Sequence, residues 1–429
     1  MASSNQEAEV PVMQVLEKAH YFTQALVPVP ATVPYPPSPR RPRSASGPAS
    51  SPSPTTTAWG WAEVLDSSLP QGGPGKGDFV FGYLPLATLA QDVEFRVDEE
   101  VAGHLVATSA YRARLMPFYN RYFTVDRNSD VAAQLRASIE KQQDQDPGNS
   151  NSREASVVID DCLGFDALFY AIFECGHLVA QYMFDARDPV HPGLGPDAPA
   201  QTPWTKEMAD LAGATVVLLA PASKTALGMA YELQRKKKGG ADGGPKRVVG
   251  AASEASRDFV QGTGLYDVTV STTAETPDAE FLRTKLGVDA GAGDKVILID
   301  CGGRAGVGKN WAAAFRKLCR PGRFLLVGIG SEAGEHSPED VLKLFAPKED
   351  EKEGKEEKPW FIQVNTGDLR ERAAARDGRK AVFEGDGRGG GGVRGFRVRW
   401  GVGMEAVAGG WERLGKGETR AEEGMAFLL

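Results

Sequence analysis

The stretch ATVVLLAPASKTALGMAYELQRKKKGG, residues 214 to 240, decides how the rest of the chain is read. It opens with an unbroken apolar run, the pattern of a parallel strand covered on both faces. An amphipathic run follows, with Lys236, Lys237 and Lys238 before Gly239, a favourable helix ending because cations meet the carbonyl end of the dipole. Between strand and helix lies a turn, the position at which an open parallel sheet offers ligand sites. Ser223 or Thr225 can cap the helix, and the free N–H groups of its first turn favour an anion such as a pyrophosphate. Lys224 adds a full positive charge and is expected to contact that phosphate.

Known phosphate fingerprints fit this turn only in part. The pattern G-x-G-x-x-G uses glycines for a tight turn and close backbone approach, whereas Ala, Pro and Ser fill the turn here and Gly228 lies one turn into the helix. The pattern G-x-x-x-x-G-K-[ST] fails because no glycine precedes Lys224, which argues against a nucleoside triphosphatase. The competing reading is a capped turn that binds nothing.

Working outward, apolar runs recur at 247–252, 266–271, 295–301 and 323–330, separated by helical or turn-containing stretches. This alternation predicts an α/β fold with a Rossmann-type doubly wound parallel sheet. In such a sheet the end of the second strand lies beside an adenosine ribose. Ser253 with Arg257 suits the 2′-phosphate of NADP, while Glu254 suits NAD; the first pair is favoured. Asp300, Cys301, Gly302 and Gly303 follow the fourth run, and Gly328 and Gly330 the fifth, where glycines let a flat ligand approach the backbone. Cys301 has no histidine close in sequence and reads as a buried small residue.

The chain has 429 residues, enough for two or three domains, and a net charge of -8, which opposes general affinity for nucleic acid. Four scattered cysteines give neither a disulfide framework nor a zinc site, and the five histidines form no metal-binding spacing, so no metal is expected. No apolar run reaches membrane-span length and no targeting segment is recognised, so a cytoplasmic protein with no membrane partner is expected. Four regions are expected. Residues 1–57 read as a disordered Pro/Ser-rich region that carries an Arg40 to Arg43 cluster, and 58–160 as a β-rich domain. Residues 161–335 read as the dinucleotide-binding domain, and 336–429 as a return to the β-rich part with a charged insertion at 348–358. The segment 160–185 is expected to be helical, with Leu163, Ala167, Tyr170 and Phe173 on one buried face, and His177 in it reads as a core residue.

The segments VVLLAPASKTALGMA, VVGAASEASRDFVQGTGLYDVTVS, VILIDCGGRAGVGKNWAAAF and RFLLVGIGSEAG together resemble the cofactor domain of zinc-independent medium-chain dehydrogenase/reductases of the quinone oxidoreductase-like group. More narrowly, WGWAEV, FGYLPLATL, YRARLMPFYNRY, ASKTALGMA, GTGLYDVTV and FIQVNTGDLRER resemble the DUF2855 family over about residues 58 to 429. The resemblance implies a Rossmann cofactor domain, a partial GroES-like β-rich domain built from both ends of the chain, and NADPH-linked reduction of a quinone, enone or other carbonyl compound. It implies that Ala220, Pro221, Ser223, Lys224 and Thr225 face the pyrophosphate and that Ser253 and Arg257 face the 2′-phosphate. Cys301 with Gly302, and Gly328 with Ile329, would meet the adenosine and nicotinamide edges.

In this reading a small molecule is the substrate, a homodimer is a compatible assembly, and Tyr119 or Tyr122 donates the proton, against the plainer reading of aromatic packing. PASKT replaces the glycine-rich turn, and the Pro/Ser tract stands where a GroES-like domain would begin. These departures motivate an alternative, a non-catalytic or degenerate Rossmann-fold nucleotide-binding or interaction protein. IDCGGRAGVG raises a third, an S-adenosylmethionine-dependent methyltransferase, against which stands its position after the fourth run and not the first.

Overall fold

Val216 and Leu218 enter one apolar core while Val217 and Leu219 enter another, and all four are fully buried. That alternation within one short run is the sign of a strand with helices on both sides. A computed structural model of the chain describes residues 12–17, 20–28, 57–69, 72–88, 90–113, 115–143, 161–193, 203–239, 243–274, 277–304, 306–330, 361–384 and 393–429. The Arg40 to Arg43 cluster, the charged segment 348–358 and the glycine run 385–392 lie outside these residues.

In chain order, β1 (Val12–Glu17) and β2 (His20–Pro28) form an antiparallel hairpin. The expectation that residues 1–57 lack regular structure therefore fails for this part, whose Val, Leu, Tyr and Phe content suits paired strands. Next come β3 (Thr57–Glu63), β4 (Phe79–Pro85), β5 (Phe95–Val97), β6 (His104–Ala107) and β7 (Arg121–Val125). They make a five-stranded antiparallel sheet in the order β3-β4-β7-β6-β5, in the place of the expected β-rich domain. Helices α1 (Asp130–Gln143) and α2 (Asp161–Leu178) lead to the second unit, α2 running on through one π-helical turn at Val179–Met183. The short α3 (Lys206–Ala209) precedes it.

That unit runs β8 (Thr215–Leu219), α4 (Lys224–Lys238), β9 (Arg247–Ala252), α5 (Glu254–Thr263), β10 (Val268–Ser271), α6 (Ala279–Phe281), β11 (Val296–Cys301), α7 (Val307–Leu318), β12 (Phe324–Gly330) and β13 (Phe361–Gln363). The six strands are all parallel, in the order β10-β9-β8-β11-β12-β13. This is the 3-2-1-4-5-6 order of a Rossmann-type sheet, and the switch point lies between β8 and β11. One face packs on α4 and the end of α2, the other on Trp311, Phe315 and Phe281. Because β13 belongs to it, the sheet extends past the boundary expected at residue 335.

The remaining elements are α8 (Thr366–Asp377), α9 (Arg379–Glu384), β14 (Arg397–Val402), α10 (Gly403–Gly415) and β15 (Glu423–Leu428). β14 and β15 pair with each other in parallel across α10 and do not join the five-stranded sheet. They pack on α2, which also touches β3, α4 and α8. The single buried face expected of α2 is therefore corrected: from Leu163 to Leu178 only Asp166 is exposed, because neighbours cover the helix all round. This same stretch, Leu163–Met183, is long and apolar enough to cross a membrane by composition, and its most apolar part is 56% buried inside the protein. It crosses α4 at very close range. A methyl added to Gly176 would lie 2.8 Å from the Gly228 backbone, which explains the glycine at 176 on α2.

Candidate functional site

The turn after β8 is built by three local features. Ser223 caps α4, its hydroxyl accepting from the Ala226 N–H at 3.3 Å, as the sequence predicts. Ala220 has φ +50°, alone among non-glycine described residues in the left-handed region, which costs an L-residue about 1–2 kcal/mol. It occupies the position where a glycine-rich fingerprint would begin, so the backbone bend survives although the glycine does not. From below, the Tyr266 hydroxyl donates to the Pro221 carbonyl at 2.7 Å and lies 3.3 Å from that of Ala226. Burial pushes the Tyr266 phenol well above its ordinary range, so it stays a donor. The backbone N–H groups of Lys224 and Thr225 open the helix with no acceptor among the described residues.

Across the switch point stands Asp300, in register with Leu219 on β8 and Gly328 on β12. Its carboxylate accepts from the N–H groups of Gly302 at 3.0 Å and Gly303 at 2.7 Å. A methyl on Gly308, the second residue of α7, would strike the other carboxylate oxygen, so glycine is needed there. The glycines of IDCGGRAGVG thus wrap an internal carboxylate, a role that their spacing does not reveal. Gly302, at φ +106°, turns the chain away over the crevice. A methyl on Gly303 would come within 3.3 Å of the Asp300 carboxylate, so glycine lets the loop close tightly on it. Cys301 is buried, and burial pushes its thiol well above the ordinary range; it is a packing residue.

At the end of β9, Ser253 precedes α5 and its hydroxyl lies 3.1 Å from that of Ser256. Arg257 pairs with Glu254 at 3.7 Å on the exposed side. Glu254 is held in turn by the Ser271 hydroxyl at 2.5 Å. On β12, Gly328 makes room for the Gln363 side chain of β13, and Ile329 packs against the core. The residues expected around a dinucleotide therefore stand at the carboxyl ends of four neighbouring strands: Ala220 to Thr225, Ser253 with Arg257, Cys301 with Gly302, and Gly328 with Ile329.

Three expected roles are corrected. Lys224 leaves the turn: its ammonium lies 5.9 Å from the centre of the Phe396 ring and lines a separate cavity, because ring face and apolar surroundings draw the side chain there. Tyr122 is fully buried in the antiparallel sheet over Gly82, and its hydroxyl is spent on the Tyr83 carbonyl at 2.7 Å. Tyr119 sits in an aromatic cluster with Trp59, Tyr83 and Phe118 and is not among the cavity-lining residues. Burial pushes its phenol upward, in keeping with a packing role.

Other buried groups tie the units together. Glu174 on α2 and Arg370 on α8 form a buried bidentate ion pair, and the Arg370 guanidinium lies 4.0 Å over the Phe118 ring. Asp98 receives Arg121 at 3.2 Å and Arg379 at 3.1 Å. His177 is buried with its Nδ1 3.6 Å from Glu232, the core position expected of it. Among the described residues no group of three or more His, Cys, Asp or Glu is placed to hold a metal.

The family described as "Protein of unknown function (DUF2855)" matches residues 35–420. The chain belongs to the DUF2855 family. No curated protein matches it. Among solved structures, this DUF2855 chain is similar to the CurK enoyl reductase at 10% identity, over 98% of this chain and 100% of that one, with a TM-score of 0.39. It is similar to the alcohol dehydrogenase TADH from Thermus sp. ATN1 at 12% identity, over 97% and 100%, with a TM-score of 0.37. It is also similar to CurA from Vibrio vulnificus, solved in complex with NADPH, at 13% identity over 97% and 98%, with a TM-score of 0.37. Strand order, and not these likenesses, identifies the fold of the DUF2855 chain.

Proposed function

We propose that this DUF2855 protein is an NADPH-dependent oxidoreductase that reduces a quinone, an enone or another carbonyl compound without zinc, in the cytoplasm. The observation that carries the reading is the turn at the first strand of a 3-2-1-4-5-6 sheet, bent through Ala220, capped by Ser223 and standing beside β11 at the switch point. The residues present fit the cofactor. The helix start of α4 offers N–H groups and a positive dipole end to the pyrophosphate, and Tyr266 fixes the turn that presents them. Ser253 and Arg257 take the 2′-phosphate. Glu254 would mark NAD if free, but its tie to Ser271 draws it from the ribose position, which supports NADPH over NADH. When bound, NADPH supplies the hydride; the chain supplies orientation and the exclusion of water.

Titration of the purified protein with NADPH and NADH, followed by cofactor fluorescence, tests the reading. NADPH should bind at least tenfold tighter, a difference of about 1.4 kcal/mol, and be oxidised by at least one quinone or enone. Absence of binding by either nucleotide sinks it. A second reading, nucleotide binding without turnover, is favoured by the Ala-Pro turn and by the withdrawal of Tyr119 and Tyr122 from the cavity. It predicts NADPH binding with every acceptor left unreduced.

A further inference from the structure

A large cavity lies away from the nucleotide crevice. It has a volume of about 2200 Å³ and runs between the antiparallel sheet, one side of α2 and the β14–α10–β15 unit. This exceeds the roughly 300–1,000 Å³ of common ligand pockets. Its walls are largely apolar, with Trp59, Ile172, Trp400 and Phe427 among the lining residues. Of all residues that line it, Lys224 alone comes from the segment 203–384, so one side chain joins this cavity to the turn after β8.

The charges around the cavity differ in kind. Glu63, Asp66, Asp92, Glu94 and Glu418 are exposed to solvent and screened by it. Arg399 is paired with Glu423 at 2.6 Å, and Arg413 is exposed. Lys224 is half-buried and has no carboxylate or hydrogen-bond partner among the described residues; its ammonium lies over the face of Phe396. Burial lowers its pKa. An ammonium partly withdrawn from water without an anion is unfavourably placed, and a ligand that carries one negative charge offsets this.

We propose that the cavity binds a molecule with a long apolar body and a single carboxylate, the carboxylate seated against the Lys224 ammonium. One unpaired donor group matches one monoanionic acceptor; a phosphate monoester, with a second charge and more acceptor oxygens, calls for additional cations that the buried lining lacks. If the reductase reading above holds, this occupant is the substrate, an apolar carboxylic acid whose head group is directed toward the cofactor turn. The carboxylate site itself does not depend on that reading.

The test uses the full chain and the quenching of tryptophan emission, since Trp59, Trp61, Trp400 and Trp411 line the cavity. Dodecanoate, dodecan-1-ol and dodecyltrimethylammonium are titrated at matched free concentrations below micelle formation. Dodecanoate should bind about tenfold tighter than the alcohol, the size of one charge-assisted contact. Lys224→Met should remove that preference while leaving alcohol binding unchanged, and Lys224→Arg should keep most of it. Thermal melts of both variants establish that they are folded, and NADPH affinity is measured in parallel. Equal binding of acid and alcohol, preference for the cation, no binding at all, or an acid preference that survives in folded Lys224→Met would each overturn the proposal. Loss of NADPH binding with dodecanoate binding intact would instead remove the reductase reading and leave the carboxylate site standing.

Discussion

The hydroxyl of Tyr266 reaches the carbonyl of Pro221 at 2.7 Å across 45 residues of chain. This single bond fixes the turn after β8 to the loop that leads into β10, two segments that no local sequence feature connects. Tyr266→Phe is expected to weaken NADPH binding about tenfold, in line with the roughly 1–3 kcal/mol lost when a buried acceptor is left unpaired. Fluorescence titration measures it, and unchanged affinity would show that the turn holds its shape without the bond.

Ala220 carries backbone strain that a glycine would not. Ala220→Gly should therefore raise stability by about 0.5–1 kcal/mol and keep NADPH affinity, whereas Ala220→Val should lower stability by about 1–2 kcal/mol. Denaturant unfolding of the pair reads the difference directly. A glycine variant no more stable than the parent would remove the strain.

The α2–α4 crossing is asymmetric. A methyl on Gly176 meets backbone atoms at 2.8 Å, while one on Gly228 meets its nearest neighbour at an ordinary 3.4 Å. Gly176→Ala should cost about 1–3 kcal/mol by overpacking. Gly228→Ala should be neutral or stabilise by up to about 1 kcal/mol, because alanine is the better helix former. Equal effects at the two sites would contradict the geometry.

Asp98 predicts an acid limb in the stability profile. Burial works to raise its pKa, but the N–H groups of Glu100 and Val101, with Arg379 and Arg121, outweigh it and hold the carboxyl below its ordinary value. The group thus binds protons less readily folded than unfolded. Its contribution is fully present above about pH 4 and is lost as pH falls through the lower folded-state value. Asp98→Asn should cost about 3 kcal/mol at neutral pH and flatten the profile below pH about 4, measured by chemical denaturation across pH.

Arg257 tests the choice of nucleotide. Arg257→Leu should weaken NADPH binding about tenfold or more, the range of a charged hydrogen bond, and leave NADH binding unchanged. A parallel loss for both nucleotides would place Arg257 elsewhere than at the 2′-phosphate.

The parallel sheet was legible because its strands are buried on both faces, so each announces itself as an apolar run; the five runs from 214 to 330 became β8 to β12 within two residues at each end. β13 escaped because FIQ is only three residues long and follows a charged segment. The turn after β8 and the glycines after β11 were legible, since both follow strand ends in sequence. What failed was side-chain direction. Lys224 and Tyr122 were read from their neighbours along the chain, yet Phe396 and Gly82, far from them in sequence, decide where they point. Tyr266 gave no signal, because its partner is a backbone group brought close only by the fold, and Asp300 was marked only by its place at a strand end.

Helix α2 is held at two points about 18 Å apart along its axis. At Gly164 an added methyl would strike Val398 and Trp400 of β14, and at Gly176 it would strike the backbone of α4. A rod seated in two close-fitting bearings neither slides nor rolls, so the distance from the cavity wall at Trp400 to the turn at Lys224 is set by a fixed length of helix. If the cavity takes the proposed ligand, that length of helix is the gauge against which the ligand is measured.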